Sequence, residues 1–231
     1  MDTSLLRKRA RDNLSGNWAL SVAVCAVAAL LGAMMAGTVF LSQFSVSEDI
    51  SDLLEFDDIL EEGIRLGNIT FGFNNGIFGL AQFILGGVVQ LGFAQYLLKQ
   101  HDRQPFSFHD LFSQFDRFGQ GFAQAFLRKL YTALWGLLFI IPGIIKSLSY
   151  AMTPYIMAEN PDMTASEAIN RSKEMMDGYK GDLFILHLTF IGWEILAAMT
   201  LNIGYLVLNP YKNAADAAFY RQLVAERQNG I

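Results

Sequence analysis

The chain has 231 residues, of which 52% are hydrophobic, and a formal net charge of −5. The negative charge is concentrated in one segment, Glu48–Glu62, and the rest of the chain is close to neutral. This distribution gives no support for nucleic-acid binding. The single cysteine, Cys25, lies in an apolar stretch, where it cannot form an intrachain disulfide and is expected to behave as a small apolar residue.

Two stretches without charged residues, 13–47 and 66–98, dominate the first half of the chain. Each is longer than the roughly 20 apolar residues that cross a bilayer core. We therefore predict an integral membrane protein of the all-α class, a polytopic bundle of transmembrane helices with added interfacial amphipathic helices. With alternating spans, every Lys and Arg except Arg65 and Lys146 falls on one side. The positive-inside rule makes that side the cytoplasm and predicts that both termini are cytoplasmic.

The first predicted element is a short helix over Thr3–Leu14, within an inner amphipathic segment 1–15. Leu6, Ala10 and Leu14 recur every four residues, and basic residues occupy its other sides. The basic cluster either fixes the topology or recognises lipid headgroups. A first span follows at about Trp18–Leu41.

Small residues share one face of this first span. Ala28, Gly32 and Ala36 are spaced four apart, which favours the close approach of a neighbouring helix over a ligand role.

An acidic outer loop is predicted over residues 45–75. We interpret it as a solvated acidic face, with a docking surface for a cationic partner and diffuse cation binding as alternatives. Its spacing does not fit a calcium-binding loop. The candidate docking residues are Glu48, Asp49, Asp52, Glu55, Asp57, Asp58, Glu61 and Glu62.

The second span, about Gly76–Leu98, carries amides and small residues on one face. Gln82, Gly86, Gln90 and Ala94 are spaced four apart. Amides in hydrocarbon need partners, so we expect this face to point inward. Hydrogen bonds between helices are favoured there over the lining of a pathway.

An inner loop with many aromatic residues is predicted at 100–120, and a third apolar block follows at 122–158. Pro142-Gly143 interrupts this block, which indicates a hairpin of two spans. Lys146 would then lie near the outer interface.

A second inner amphipathic helix is predicted within 162–181. Thr164 and Glu167 have the spacing of a capping box at its start, with Met163 as a hydrophobic staple, and Gly178 is available to end it.

The last apolar block, Leu183–Leu208, is interpreted as a second hairpin that turns near Thr200–Gly204. It is followed by an inner tail, 212–231. This gives six spans. The alternative is five, with one long tilted final helix that would place the basic residues of the tail outside.

The best candidate for a functional group is Glu194, the one carboxylate embedded in apolar sequence, with His187 seven residues earlier on about the same helix face. Ionisable groups inside membranes are typical of ion or proton sites. Together with Gln82, Gln90 and Lys146 they form a candidate intramembrane polar site. The alternative is that Glu194 lies near the outer interface, where it reaches water or pairs with Lys146.

A series of short pieces in the second half of the chain follows a recognisable order and spacing. The pieces are Pro142-Gly143-Ile144-Ile145-Lys146, Tyr150, Pro154-Tyr155, Asn160-Pro161, Glu167-Ala168-Ile169, Ser172, Met175-Met176-Asp177-Gly178, Leu183-Phe184, Phe190-Ile191-Gly192-Trp193 and Pro210-Tyr211. With these pieces the sequence resembles bacterial integral membrane proteins known as domain of unknown function 975, over most of the chain and most densely from Ala133 to Tyr220. The resemblance implies a membrane fold, with distant similarity to the membrane portion of glycerophosphodiester phosphodiesterases, and brings no activity or ligand.

Three classes of function remain at this point. The first is a non-catalytic protein of the bacterial cytoplasmic membrane that binds lipids, a protein partner or a second copy of itself. The second is a small proton-coupled carrier built on Glu194 and His187. An enzyme is disfavoured because the sequence has no metal-ligand cluster, nucleophile motif or phosphate loop, and no cofactor is expected.

Overall fold

The computed structural model describes residues 1–33, 65–66, 69–70, 76–138, 140–200 and 204–228. In these ranges the fold is all-α apart from one short antiparallel pair, β1 (Arg65–Leu66) with β2 (Ile69–Thr70). Two 3₁₀ segments, Phe108–Phe112 and Phe115–Arg117, precede α4. The helices in chain order are α1 (Thr3–Leu14), α2 (Trp18–Leu30), α3 (Gly76–His101), α4 (Phe118–Leu138), α5 (Ile140–Ser149), α6 (Thr153–Glu159), α7 (Ala165–Met175), α8 (Lys180–Leu188), α9 (Ile191–Met199) and α10 (Tyr205–Gln228).

Helix α1 has the bounds that its sequence pattern predicts. The Asp2 carboxylate accepts a hydrogen bond from the Ser4 backbone N–H at 2.9 Å and thereby caps the helix. Leu6, Ala10 and Leu14 are completely buried. Helix α1 packs mainly against α10, so its apolar face is covered by the protein itself.

Helix α2 is shorter than the predicted span Trp18–Leu41. Gly32 has φ +79°. The Gly32 N–H donates to the Ala29 carbonyl at 3.1 Å and the Ala33 N–H to the Ala28 carbonyl at 2.8 Å. These two bonds form a Schellman motif, which ends a helix. The helix therefore does not continue through Gly32, as one unbroken helix over Trp18–Leu41 would require. Residues 34–41 lie outside the described ranges.

The prediction that small residues allow close helix contact is confirmed at Gly32 and Gly86. A Cβ atom added to Gly86 would lie 2.7 Å from the Gly32 carbonyl oxygen. No larger side chain fits between α2 and α3 without a shift of the backbone. Ala36 lies outside the described ranges.

The third block contains two helices that contact each other, as a hairpin requires, and the break between them comes before Pro142. Helix α4 ends at Leu138 and α5 begins at Ile140, and a Cβ on Gly143 would lie 2.8 Å from the Gly136 Cα. Pro142 lies in the first turn of α5, where its missing N–H costs no helical hydrogen bond.

Helix α7 begins with the predicted capping box. The Thr164 backbone N–H donates to Glu167 Oε2 at 2.8 Å, and the Glu167 N–H donates to Thr164 Oγ1 at 3.4 Å. The face expected to be apolar is buried, and Gly178, with φ +83°, follows the helix.

The last block turns where the sequence predicts, because α9 ends at Met199 and α10 begins at Tyr205. Its first arm is divided into α8 and α9. The segment predicted as a tail, 212–231, is part of α10 up to Gln228, and α10 continues through Pro210.

Within the described ranges, no single helix combines the length and the apolar composition needed to cross a membrane. Helices α1 and α2 pass that test only as a pair, across a bend of 102°.

Candidate functional site

Two residues of the predicted polar site, His187 and Glu194, are buried against α10. His187 lies on α8 and Glu194 on α9, and both are about 6% exposed. Helix α10 presents Lys212 and Asp216 to them, four residues apart on one face. The two helical arms of the hairpin are therefore joined by two polar contacts, one turn of α10 apart.

Glu194 forms an ion pair with Lys212, whose ammonium group donates to Glu194 Oε1. Both side chains are almost completely buried. The second carboxylate oxygen, Oε2, has no hydrogen-bond partner among the described residues. Burying the pair costs solvation energy, and the mutual attraction offsets that cost only while both partners are present.

His187 Nε2 lies 2.9 Å from Asp216 Oδ1. The carboxylate is the acceptor in this hydrogen bond, so Nε2 carries the proton. Both side chains are buried, which strengthens the interaction relative to one in water.

Lys146 does not reach Glu194, and the alternative in which these two residues pair is wrong. The Lys146 ammonium group lies 4.7 Å from the centroid of the Trp135 ring, in a cation–π contact between α5 and α4. Glu194 is also buried rather than open to water.

The two predicted glutamines hydrogen-bond to different neighbours. Gln82 Nε2 donates to the Leu30 carbonyl at the end of α2, at 2.9 Å. Gln90 Oε1 accepts from Arg128 Nη2 at 2.7 Å and from Gln124 Nε2 at 3.3 Å, both on α4. The interpretation that this face joins helices is confirmed, and neither glutamine lies in the Glu194 pair.

Sequence reasoning missed four buried charged residues: Asp110, Arg128, Lys212 and Asp216. Asp216 could have been found as a lone carboxylate in an alanine-rich stretch, with Lys212 four residues before it. Arg128 stands inside an apolar block without an acidic residue at helical spacing, which is a weaker signal.

The predicted outer docking residues, Glu48 to Glu62, lie outside the described ranges. In the part of the chain that the structure describes, no group of three or more His, Cys, Asp or Glu side chains could hold a metal ion.

A family model described as "Protein of unknown function (DUF975)" matches residues 137–227. The matched segment contains both polar pairs and Lys146, while Arg128 and the two glutamines precede it. The match supports the family resemblance over this part of the chain. No match was found among curated proteins or among solved structures.

Proposed function

We propose that this chain is a multi-pass protein of the bacterial cytoplasmic membrane that acts without catalysis, by binding lipids or a protein partner. One observation carries the proposal: large apolar side chains are exposed near the two hairpin turns. We name as the apolar belt the exposed residues Leu134, Trp135, Ile141, Trp193, Leu196 and Met199.

The apolar belt lies on α4, α5 and α9. Ile141 is 71% exposed and Met199 is 77% exposed. Soluble monomers rarely expose large contiguous apolar patches, and such patches are typical of membrane or protein contacts. Two tryptophans in the belt fit the side-chain composition found at bilayer interfaces.

Several charged residues contact one another around the C-terminal half of α10. Arg221 forms ion pairs with Asp102, after α3, and with Glu159, at the end of α6. Arg227 donates to the Glu174 carbonyl at 2.8 Å, where α7 ends.

Lys146 contacts the apolar belt at the Trp135 ring. A cation on a tryptophan beside exposed apolar side chains fits a bilayer interface, and the cluster of charged residues around the C-terminal half of α10 fits contact with water.

Cysteine labelling in intact cells tests this placement. In a Cys25→Ser background, we expect Ser166→Cys, exposed on α7, to react with a membrane-impermeant maleimide only after permeabilisation. Leu196→Cys, in the apolar belt, should react only after denaturation. Labelling of Ser166→Cys from outside, or recovery of the protein in buffer without detergent, would contradict the proposal.

The partner-binding part of the proposal concerns the acidic segment. Replacing the eight carboxylates between Glu48 and Glu62 by their amides should abolish the recovery of any partner that crosslinks outside the cell. Equal recovery with both forms would contradict a docking role for this segment.

A proton-coupled carrier is the second candidate, because Glu194 and His187 each have a buried ionisable partner on α10. Intramembrane ionisable pairs are typical of proton relays. The test is proton uptake by proteoliposomes under an imposed potential. The carrier predicts that Glu194→Gln/Lys212→Gln, which leaves no unpaired charge, folds and loses the flux. An unchanged flux would remove this candidate.

A further inference from the structure

Helix α4 carries a cation in the protein interior without an acidic partner. Arg128 is only 8% exposed and lies midway along α4, facing α3. Among the described residues, no carboxylate forms an ion pair with it, and the ionisable side chains that interact with it electrostatically are Tyr155 and the neighbouring cation Lys129. Glu194 and Asp216 are each held by another partner.

The hydrogen bonds of the guanidinium are incomplete on one side. Arg128 Nη2 donates to Gln90 Oε1 at 2.7 Å, and Nη1 has no partner among the described residues. Gln124 Nε2 also donates to Gln90 Oε1, at 3.3 Å. Gln90 thus holds one end of the guanidinium, and Nη1 is left as a buried, charged donor.

A second donor without a partner lies on α6. Tyr155 is 1% exposed, and its hydroxyl makes no hydrogen bond among the described residues. Its ring stacks on Tyr220, with centroids 5.3 Å apart, and this contact fixes the ring. The Tyr155 hydroxyl interacts electrostatically with the Asp216 carboxylate and with the Arg128 guanidinium, so it faces the same part of the interior as Arg128.

An arginine cannot lose its proton in a protein, so burial does not remove this charge. A buried charge without a partner is strongly unfavourable, and buried donors almost always find an acceptor. An anion that accepts a hydrogen bond from Nη1 would supply both the missing counter-charge and the missing acceptor. The planar guanidinium fork matches the oxygens of phosphate and carboxylate groups.

We propose that Arg128 is the anion-binding residue of a ligand site inside the bundle, which takes one phosphate group, with the Tyr155 hydroxyl as a second donor. The phosphate group belongs either to an anionic phospholipid or to free phosphate. Lys129, the next residue, is not part of this site, because its ammonium group contacts the Phe83 ring, 5.5 Å from the centroid.

Thermal unfolding of the purified full chain in an uncharged detergent tests the site. One arm adds inorganic phosphate, and another adds phosphatidylglycerol, with zwitterionic phosphatidylcholine as its control. We expect stabilisation by at least one of the two anions. Stabilisation by phosphatidylglycerol alone identifies a lipid as the source. Stabilisation by neither overturns the proposal.

The matched variants are Arg128→Gln and Lys129→Gln, which each remove one cation from neighbouring positions. Arg128→Gln loses the charged donor, so the concentration of the stabilising anion that gives half of the maximal effect should rise by roughly tenfold or more. Lys129→Gln should respond like the wild type. An equal response of Arg128→Gln and the wild type overturns the site.

If Arg128→Gln does not fold, two milder variants test the anion site in its place. Arg128→Lys keeps the charge and loses the fork, and Tyr155→Phe removes only the hydroxyl. A higher half-saturating concentration in either supports the site, and wild-type values in both overturn it. The membrane placement is tested separately by cysteine labelling, so a failure here leaves that proposal standing.

Discussion

The contact of α9 with α10 and the contact of α3 with α4 bury charge in different ways. In the first, Glu194 and Lys212 are buried as a pair of opposite charges. In the second, Arg128 is held by the neutral side chain of Gln90, and its Nη1 atom has no partner among the described residues. Removing a charge should therefore lower the unfolding free energy at the first contact and should not lower it at the second.

The largest effect is expected for Glu194→Gln, because Lys212 would remain buried without its counter-charge. Breaking a buried pair in this way costs about 3–5 kcal/mol of unfolding free energy. Denaturant unfolding in detergent micelles measures it. The control is Glu194→Leu/Lys212→Met, which removes both charges and should recover most of the loss. A double variant as unstable as Glu194→Gln would show that the pair is not the cause.

The contact of α3 with α4 depends on glycine. A Cβ atom on Gly121 would lie 2.7 Å from the Val88 Cα, whereas nothing lies within 4 Å of one on Gly119, in the same helix. We expect Gly121→Ala to lower the unfolding free energy by about 1–3 kcal/mol through overpacking. Gly119→Ala should leave it unchanged or raise it by up to about 1 kcal/mol. Equal effects of the two substitutions would contradict this close packing.

Without added anion, Arg128→Gln should leave the unfolding free energy unchanged or raise it by about 1 kcal/mol, because it removes an uncompensated charge at the cost of one hydrogen bond to Gln90. Glu194→Gln, by contrast, should lower the unfolding free energy. The measurement uses protein washed free of lipid and phosphate. A loss as large as that of Glu194→Gln would indicate that the charge of Arg128 is already compensated inside the chain.

The sequence predicts the local features of this fold well. Helix α1 and the start of α7 follow from residues within a few positions of each other, since periodicity and capping are local. The end of α2 at Gly32 was not predictable in the same way. A glycine in an apolar stretch serves equally for close packing and for a positive φ, and here Gly32 does both.

The candidate site was predicted in part. Glu194 and His187 stand out because polar residues are rare in their apolar block. Their partners, Lys212 and Asp216, do not stand out in the sequence. Lys212 follows Pro210, and a proline there suggests that a helix has ended. In the structure, Pro210 lies inside α10 near its start, and the helix continues beyond it. Pairing between helices depends on tertiary contacts that no local spacing encodes.

The smallest effect is expected for Glu167, an exposed carboxylate outside both contacts. Its hydrogen bonds compete with water and contribute little to stability. Hydrogen bonds from the Thr164 hydroxyl, and then from its backbone N–H, lower the pKa of the exposed Glu167 below its usual 4.5. A lowered folded pKa means that this contribution to stability is present above pH 4.5 and is lost as the pH falls through the folded pKa. Carboxyl ¹³C NMR titration should show the lowered pKa, and Thr164→Ala should bring it back towards its usual value. An identical titration in the wild type and Thr164→Ala would contradict the capping box as its cause. At the buried Glu194 pair, by contrast, the stability depends on the partner charge itself.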